Sequence, residues 1–586
     1  METGASRELA PHYYRDNFLA LCATVEAQYG DLLAPGEQLL LQRFRDLPFD
    51  AQCLYVRLVS RVGPWFRESK LAYPELGAIA PLIDSLLAAG LAEQALELPL
   101  TDLGAIYTRP ELLRVFGPLP GSSALQGKGA LLQAIESLNL DESELLGRLA
   151  GMDGTRIIAP CGAREVELLQ LLFFGNRRQG LTDFVLSDLG VARYYPYSLD
   201  RRHRLFAQRE AVEEYLALSA LGDGWYELRD SPEPAALPAL AAVLLALEVC
   251  FASSEGRLYR LCNGLARDLE RLGELDLAAQ LYARSRRHPA RERRLRVMER
   301  LQDWAGAAQL CEQILAEPWC EEERDAVERV LPRLRRHLGS KSPPRHRDDF
   351  ARMSLSLPRE EAPVELLAAR ALMSGWRSVH YVENSLMNAL FGLAFWEQIF
   401  TPVAGAFHNP FQSAPTDMYS PAFRERRRDA IAARLAALRE ADVARELLDA
   451  HRRYAAFQCR WVDWRQLDEA LLVAATQIIP GAHLLAVWER MLFDPGENRR
   501  GFPDLLALGD APGDYCLIEV KGPGDALQQS QKRWLRFFSQ QGIPAAVAWV
   551  SWEKSREKSW EKSWEQGLDE DRNEDRDDRP DAARND

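Results

Sequence analysis

Two apolar segments near the C-terminal end constrain this chain more than any other feature: residues 502–508 (FPDLLAL) and 515–521 (YCLIEVK), joined by a Gly/Asp/Pro turn, read as adjacent strands of a hairpin. Charge enters them at three positions. Asp504 opens the first strand, while in the second Glu519 and Lys521 stand two residues apart and so share a face, with Val520 turned into the core. Pairing the strands can bring the carboxylates of Asp504 and Glu519 together as hard oxygen ligands for Mg²⁺ or Mn²⁺, with the Lys521 ammonium beside them and the Val520 carbonyl as a further ligand. The same spacing also fits a surface hairpin with ordinary solvated charges. Flanking residues favour the first reading: Gly501 and Pro503 on one side and Gly522, Pro523 and Gly524 on the other allow a ligand close to the backbone. Gln531 and Trp534 then lie on a helix leading into IPAAVAWV, giving the order strand, strand, helix, strand, and upstream the helix VENSLMNALFGLAFWEQIF carries Glu383 and Asn384 in its first, polar turn.

The remaining length implies several domains, since 586 residues at about 150 each suggest about four. With 47% apolar and 27% charged residues, the chain is neither collagen-like nor wholly disordered. Its nine cysteines include no CxxC, CxxH or HxxxH arrangement, so neither a structural zinc site nor a disulfide framework is indicated and the thiols are expected to be reduced. The uncharged run 470–488 is interrupted by Thr476, Gln477, Pro480, Gly481 and His483 and reads as a buried helix and a turn, not a membrane span. Charges at Glu2, Arg7, Glu8 and Arg15 interrupt any secretory signal, so a cytoplasmic protein is expected.

A net charge of -14 would argue against a nucleic-acid partner, but residues 569–586 hold nine acidic and four basic residues, or -5 of it. Basic clusters occur elsewhere: Arg201 to Arg204, seven arginines between Arg284 and Arg296, Arg333 to His337, and Arg424 to Arg428. The first hundred residues read as helices, where Arg57, Arg61 and Arg67 interleave with Tyr55, Trp65 and Phe66; that suits either a phosphate backbone with an unstacked base or an amphipathic helix with snorkelling arginines. Gly127-Lys128 does not open a P-loop, because five residues separate Gly121 from Gly127 and position 129 is Gly where Ser or Thr is required. LLRVFGPLPGSSALQGKGALLQAI instead resembles the helix-extended-helix of SAP DNA-binding modules, and REVELLQLLFFGNRRQGLTDFVLSDLG continues it in a form compatible with a winged helix. LGELDLAAQLYARS is echoed 29 residues on by LQDWAGAAQLCEQI, which suggests stacked helical hairpins of the tetratricopeptide type. SKSPPRHR reads as a linker, and the Ser-Trp-Glu-Lys repeats after Val550 with the acidic run behind them read as a disordered tail.

PD-x14-E-V-K followed by a glutamine-bearing helix resembles the PD-(D/E)XK nuclease core in its VRR-NUC form. The chain from about residue 10 to 550 is similar to bacterial Fanconi-associated nucleases, with VENSL and LFGLAFW, NPFQ-x-x-P at 409–415, LTDFVL at 181–186 and AQCLYVRL at 51–58 carrying the likeness. The resemblance implies that Asp504 and Glu519 bind one or two Mg²⁺ or Mn²⁺ ions and that Lys521 orients the attacking water or stabilises charge at phosphorus. Glu383 would complete the metal site or position the water, and Gln531 would support it.

The expected fold is multidomain and mostly α, with a C-terminal α/β PD-(D/E)XK core. Residues 1–100 form an N-terminal helical DNA-binding domain, 101–235 a SAP-like and winged-helix-like region, 236–339 TPR-like repeats, 340–350 a linker, 351–551 the nuclease domain and 552–586 a tail. Arg57, Arg61, Arg67 and Lys128 are the candidate DNA contacts. The expected enzyme is a monomer that hydrolyses flapped or branched double-stranded DNA near 5′ flaps and from the 5′ side in interstrand-crosslink repair, associated with the bacterial nucleoid during repair, without a ubiquitin-binding finger and without a membrane. A four-way-junction resolvase and a non-catalytic helical-repeat scaffold are the alternatives.

Overall fold

Apolar residues recur at three and four along most of the sequence, and the computed structural model is correspondingly helical. It describes residues 11–61, 63–117, 119, 127–180, 193–229, 235–339 and 348–553. The chain divides into two compact units, Met1–Ala307 with Phe400–Thr416, and Ala308–Ile399 with Asp417–Asp586.

In the first unit the helices Tyr13–Tyr29, Pro35–Asp46, Phe49–Val59 and Ala163–Phe174 share a core that includes Phe18, Leu21, Phe44, Leu54, Leu169 and Phe173. The expectation of helices alone over the first hundred residues needs correction, because Phe66–Arg67 and Ala92–Gln94 pair antiparallel on either side of Ile157–Pro160. Strands of two to four residues are too short to show a period of two. The SAP-like stretch forms helices Arg109–Phe116 and Lys128–Glu136, packed with Leu100–Ile106 and Glu142–Ala150 around Leu103, Leu112, Leu131, Ile135 and Leu149. Most of its turn and LTDFVL at 181–186 lie outside the described residues, as do most of the expected linker and the tail from residue 554.

The internal echo has a packing basis. On Leu275–Arg284, Ala278 and Leu281 are buried and Gln280 is exposed; on Trp304–Ala316, Ala307, Leu310 and Gln309 repeat that pattern. The chain later returns to this unit through Phe400–Thr416, where the NPFQ motif is used as a stitch. Asn409 Nδ2 donates to the Phe173 carbonyl at 3.1 Å, the Tyr197 hydroxyl donates to the Asn409 carbonyl at 2.6 Å, and Gln28 Nε2 donates to the His408 carbonyl at 2.9 Å. Gly175, at φ 69°, is required there, since a Cβ would fall 2.1 Å from His408 Nε2.

The second unit holds a mixed sheet. Its elements are β1 (Arg352–Leu357), α1 (Val364–Leu372), β2 (Ser378–Tyr381), α2 (Leu386–Ala394), β3 (Leu505–Leu508), β4 (Tyr515–Lys521), α3 (Gln529–Gln541) and β5 (Ala545–Trp552), and the strands lie in the order β1-β5-β4-β3-β2 among the described residues. The expected hairpin is present, with Leu505 opposite Ile518, and β4 runs parallel to β5. Strands β1 and β2, which the sequence did not announce, extend it on both sides. The uncharged run becomes two helices, Glu469–Ile478 and Gly481–Phe493, bent by 107°; no single described helix is long and apolar enough to cross a membrane. Helix Glu321–His337 was expected to close the repeats, but its acidic half serves this unit instead: Asp325 pairs with Arg533 of α3 at 2.7 Å and Glu321 with Arg490 at 2.9 Å.

Candidate active site

The hairpin register pairs Leu505 with Ile518, and Asp504 and Glu519 are the next residues on the two chain segments. Their environment is dry: Asp504 is 7% exposed, Glu519 1% and Lys521 8%. The Val520 N–H donates to Asp504 Oδ2 at 2.8 Å, so the residue whose side chain fills the sheet core also fixes the first carboxylate. Lys521 Nζ lies 2.7 Å from Glu519 Oε1, as expected of residues sharing a strand face. Gln531 is locked at both ends, its Oε1 accepting from the Gln528 N–H at 2.8 Å and its Nε2 donating to Glu519 Oε1.

The loop into Asp504 is fixed by packing. Phe502 stacks on Trp534 with ring centroids 4.1 Å apart, Trp534 Nε1 donates to the Arg500 carbonyl at 3.0 Å, and Gly501, at φ 79°, passes so close to Ser530 that a Cβ would lie 2.7 Å from its carbonyl carbon. Beyond Lys521, Asp525 Oδ2 accepts from the Gly522 N–H at 2.9 Å and tightens the turn.

Glu383 is not on the first turn of a helix as expected. Helix α2 begins at Leu386, and Glu383 occupies the preceding exposed turn because Asn384 takes φ 51°, which is not helical. That turn is tied to the site by the Val382 N–H, which donates to the Asp504 carbonyl at 2.8 Å. Burial pushes Asp504 up to about 6 and Glu519 up to about 7, with Glu383 adding negative charge to both. Glu365, in the first turn of α1, adds negative charge at Asp504 and was missed from sequence, because nothing local relates it to a motif 139 residues away.

Glu519 Oε2 is buried and has no hydrogen-bond partner among the described residues. A buried carboxylate oxygen without a donor is costly, and Glu519 has the buried Asp504 beside it and feels the charge of Glu383, a hard-oxygen donor set of the kind that suits a divalent cation. The residues therefore fit the metal that the sequence implied.

The candidate DNA contacts are scattered in the first unit. Arg57 pairs with Glu75 at 2.5 Å and lies over the Tyr14 ring; Arg61, past the helix end, donates to the Tyr73 hydroxyl at 3.0 Å. Arg67 sits on a strand, 3% exposed, with its guanidinium held by Glu111 at 2.8 Å and Asp153 at 2.5 Å. Its charge is neutralised inside the fold, which does not suit the phosphate contact expected of it. Lys128 opens its helix, half-buried. Cations without a carboxylate partner among the described residues occur elsewhere: Arg260 and Arg287 keep solvent-accessible side chains, yet burial and, for Arg260, the nearby Arg287, Arg257 and Arg178 hold them below the usual arginine range.

Comparison with known proteins gives this geometry a context. The VRR-NUC domain family matches residues 439–552, and the FAN1, HTH domain family matches 12–93, N-terminal to the place where a winged helix was expected. The Fanconi-associated nuclease 1 homolog of Pseudomonas aeruginosa is 36% identical over 545 residues, spanning 92% of this chain and 96% of that one. The chain belongs to the Fanconi-associated nuclease family. Fanconi-associated nuclease 1 of Homo sapiens is 24% identical over 92% of this chain and 62% of its own. A crystal structure of paFAN1 bound to 2-nucleotide 5′ flap DNA with a gap superposes with a TM-score of 0.79 at 35% identity, covering 94% of this chain and 100% of that one; a second, with a 1-nucleotide flap, gives 0.77. Within this Fanconi-associated nuclease, Asp504, Glu519, Lys521 and Gln531 fall inside the VRR-NUC match, whereas Glu383 falls outside it and joins the site through β2.

Proposed function

We propose that this nuclease hydrolyses phosphodiester bonds of flapped or branched double-stranded DNA with Mg²⁺ or Mn²⁺, cutting near 5′ flaps and digesting from the 5′ side in interstrand-crosslink repair. The unpartnered, buried Glu519 Oε2 carries the metal-dependent reading. Asp504, Glu519, the Val520 carbonyl and Glu383 would hold one or two ions, whose chemistry is to neutralise phosphate charge and to make water more acidic. The protein's own groups supply the rest. Lys521 lies beside Glu519, where its ammonium can hold the attacking water or the charge developing on phosphate oxygen. Gln531 keeps Glu519 from rotating, and the Val520 N–H keeps Asp504 turned towards it. The two structures of one relative, paFAN1, with 5′ flap DNA support this choice of substrate. Arg260 and Arg287, cations without a carboxylate partner among the described residues, would grip the phosphate backbone.

The test is initial cleavage rates on a 5′ flap, a 3′ flap and an immobile four-way junction at one salt concentration, with Mg²⁺, with Mn²⁺ and with chelator. The expected order places the 5′ flap first, with no cleavage in chelator. Faster paired cuts on the junction would instead indicate a resolvase, and chelator-resistant cleavage would remove the metal.

A further inference from the structure

The three carboxylates of the site are not held alike. Asp504 and Glu519 are buried and fixed by strand backbone and by Gln531, but Glu383 stands on an exposed turn, where a carboxylate samples several rotamers unless something restrains it. Two donors do so. The Tyr381 hydroxyl donates to Glu383 Oε2 at 2.7 Å and Asn384 Nδ2 donates to Oε1 at 3.1 Å. Asn384 Oδ1 in turn accepts from the Phe502 N–H at 3.2 Å, two residues before Asp504. Tyr381 ends the edge strand β2 opposite Leu505, so its ring direction is set by a ladder that leads into Asp504.

We propose that Tyr381 is a positioning residue of this site, its hydroxyl holding the Glu383 carboxylate in the orientation in which it meets the divalent cation. Each Glu383 oxygen receives one of these two side-chain hydrogen bonds, leaving acceptor capacity for a metal on both. The phenol suits the task because its hydroxyl has one proton to give and Glu383 Oε2 receives it at 2.7 Å. Partners of this kind that orient a ligand typically change metal affinity or activity by about 10- to 100-fold when removed.

The inference rests on the metal-dependent reading above, and the experiment separates the two. Mn²⁺ binding to the full chain is measured without DNA by electron paramagnetic resonance for the wild type, Tyr381→Phe and Glu519→Gln, alongside flap cleavage as a function of Mn²⁺. Tyr381 is 49% exposed, so the Phe variant should melt with the wild type. Expected for Tyr381→Phe is Mn²⁺ affinity roughly 10-fold weaker, the same displacement in half-saturating Mn²⁺ for cleavage, and KM for flap DNA within about two-fold of wild type. Unchanged Mn²⁺ affinity in Tyr381→Phe overturns the inference alone, and a raised DNA KM with unchanged Mn²⁺ affinity overturns it by assigning the phenol to DNA. A wild type that binds no Mn²⁺, or a Glu519→Gln protein that binds it as tightly as wild type, overturns the metal site and the inference together.

Discussion

At the scale of single residues, the site is organised around carboxylates that the metal-free protein keeps reluctantly ionised. In the unfolded chain both carboxyls lose their protons near pH 4, whereas in the fold burial delays this to about 6 for Asp504 and about 7 for Glu519. The folded state therefore binds more protons than the unfolded state between about pH 4 and 7, and stability falls as pH rises through that window. In chelator the melting temperature is expected to drop by roughly 3–5 °C from pH 5 to pH 8, and Mg²⁺ should restore more of it at pH 8 than at pH 5. Glu519→Gln should flatten the drop, and a melting temperature rising with pH would contradict the assignment. For activity, the proposed division of phosphate grip and metal chemistry between different residues predicts that Asp504→Asn or Glu519→Gln lowers cleavage at least about 10³-fold while flap affinity stays within a few-fold. Asp504, Glu519 and Lys521 were legible in the sequence because a strand converts spacing of two into a shared face. Arg67 misled for the complementary reason: a basic residue among aromatics looks alike whether it faces DNA or, as here, Glu111 and Asp153.

At the scale of elements, helix α3 is the brace that carries Gln531 and Trp534. One turn holds it from both sides, since Arg533 pairs with Asp325 at 2.7 Å and with Glu497 at 2.9 Å while only 8% exposed. Removing the guanidinium strands two carboxylates, so Arg533→Ala should cost about 3–5 kcal/mol in urea unfolding and lower cleavage through loss of the Gln531 contact. An effect below about 1 kcal/mol would mean that the network is solvated. Gly501→Ala tests the other side of the brace: with φ 79° and Ser530 in the way, it should displace the loop before Asp504 and reduce kcat more than KM. The central hairpin and α3 could be read from short apolar runs bounded by glycine and proline, but β2 could not, being a four-residue edge strand whose only clue, Tyr381 two before Glu383, needs the strand to be known first. The acidic helix Glu321–His337 was assigned to the repeats by contiguity, because sequence does not reveal which buried arginines its carboxylates meet.

At the scale of the molecule, the negative net charge of -14 does not oppose DNA binding where cations lack a carboxylate partner among the described residues. Arg260→Ala or Arg287→Ala should raise KM for flap DNA several-fold, leave kcat near wild type, and each reduce the slope of log KM against log salt by about one. Unchanged slopes would show that the duplex is held elsewhere. The repeat echo at 29 residues was legible because packing imposes the same small and large side chains on each hairpin, as Ala278 and Leu281, then Ala307 and Leu310, show. The interleaving of the two units was not legible, because the NPFQ segment reads locally as a loop and only its hydrogen bonds to Phe173 and Tyr197 reveal which core it completes.

That stitch has a consequence for how the protein is made. A ribosome that has released Ala307 has delivered almost all of the first unit, yet the residues that cap its core at Phe173 and Gln28 are His408 and Asn409, more than a hundred codons away. At roughly 5–20 residues per second the wait is on the order of 5–20 seconds. During it the nascent N-terminal half is unfinished and the first strands of the nuclease sheet emerge without their centre, so the first unit can close only once Thr416 has been made and the nuclease sheet only after that, an order set by translation.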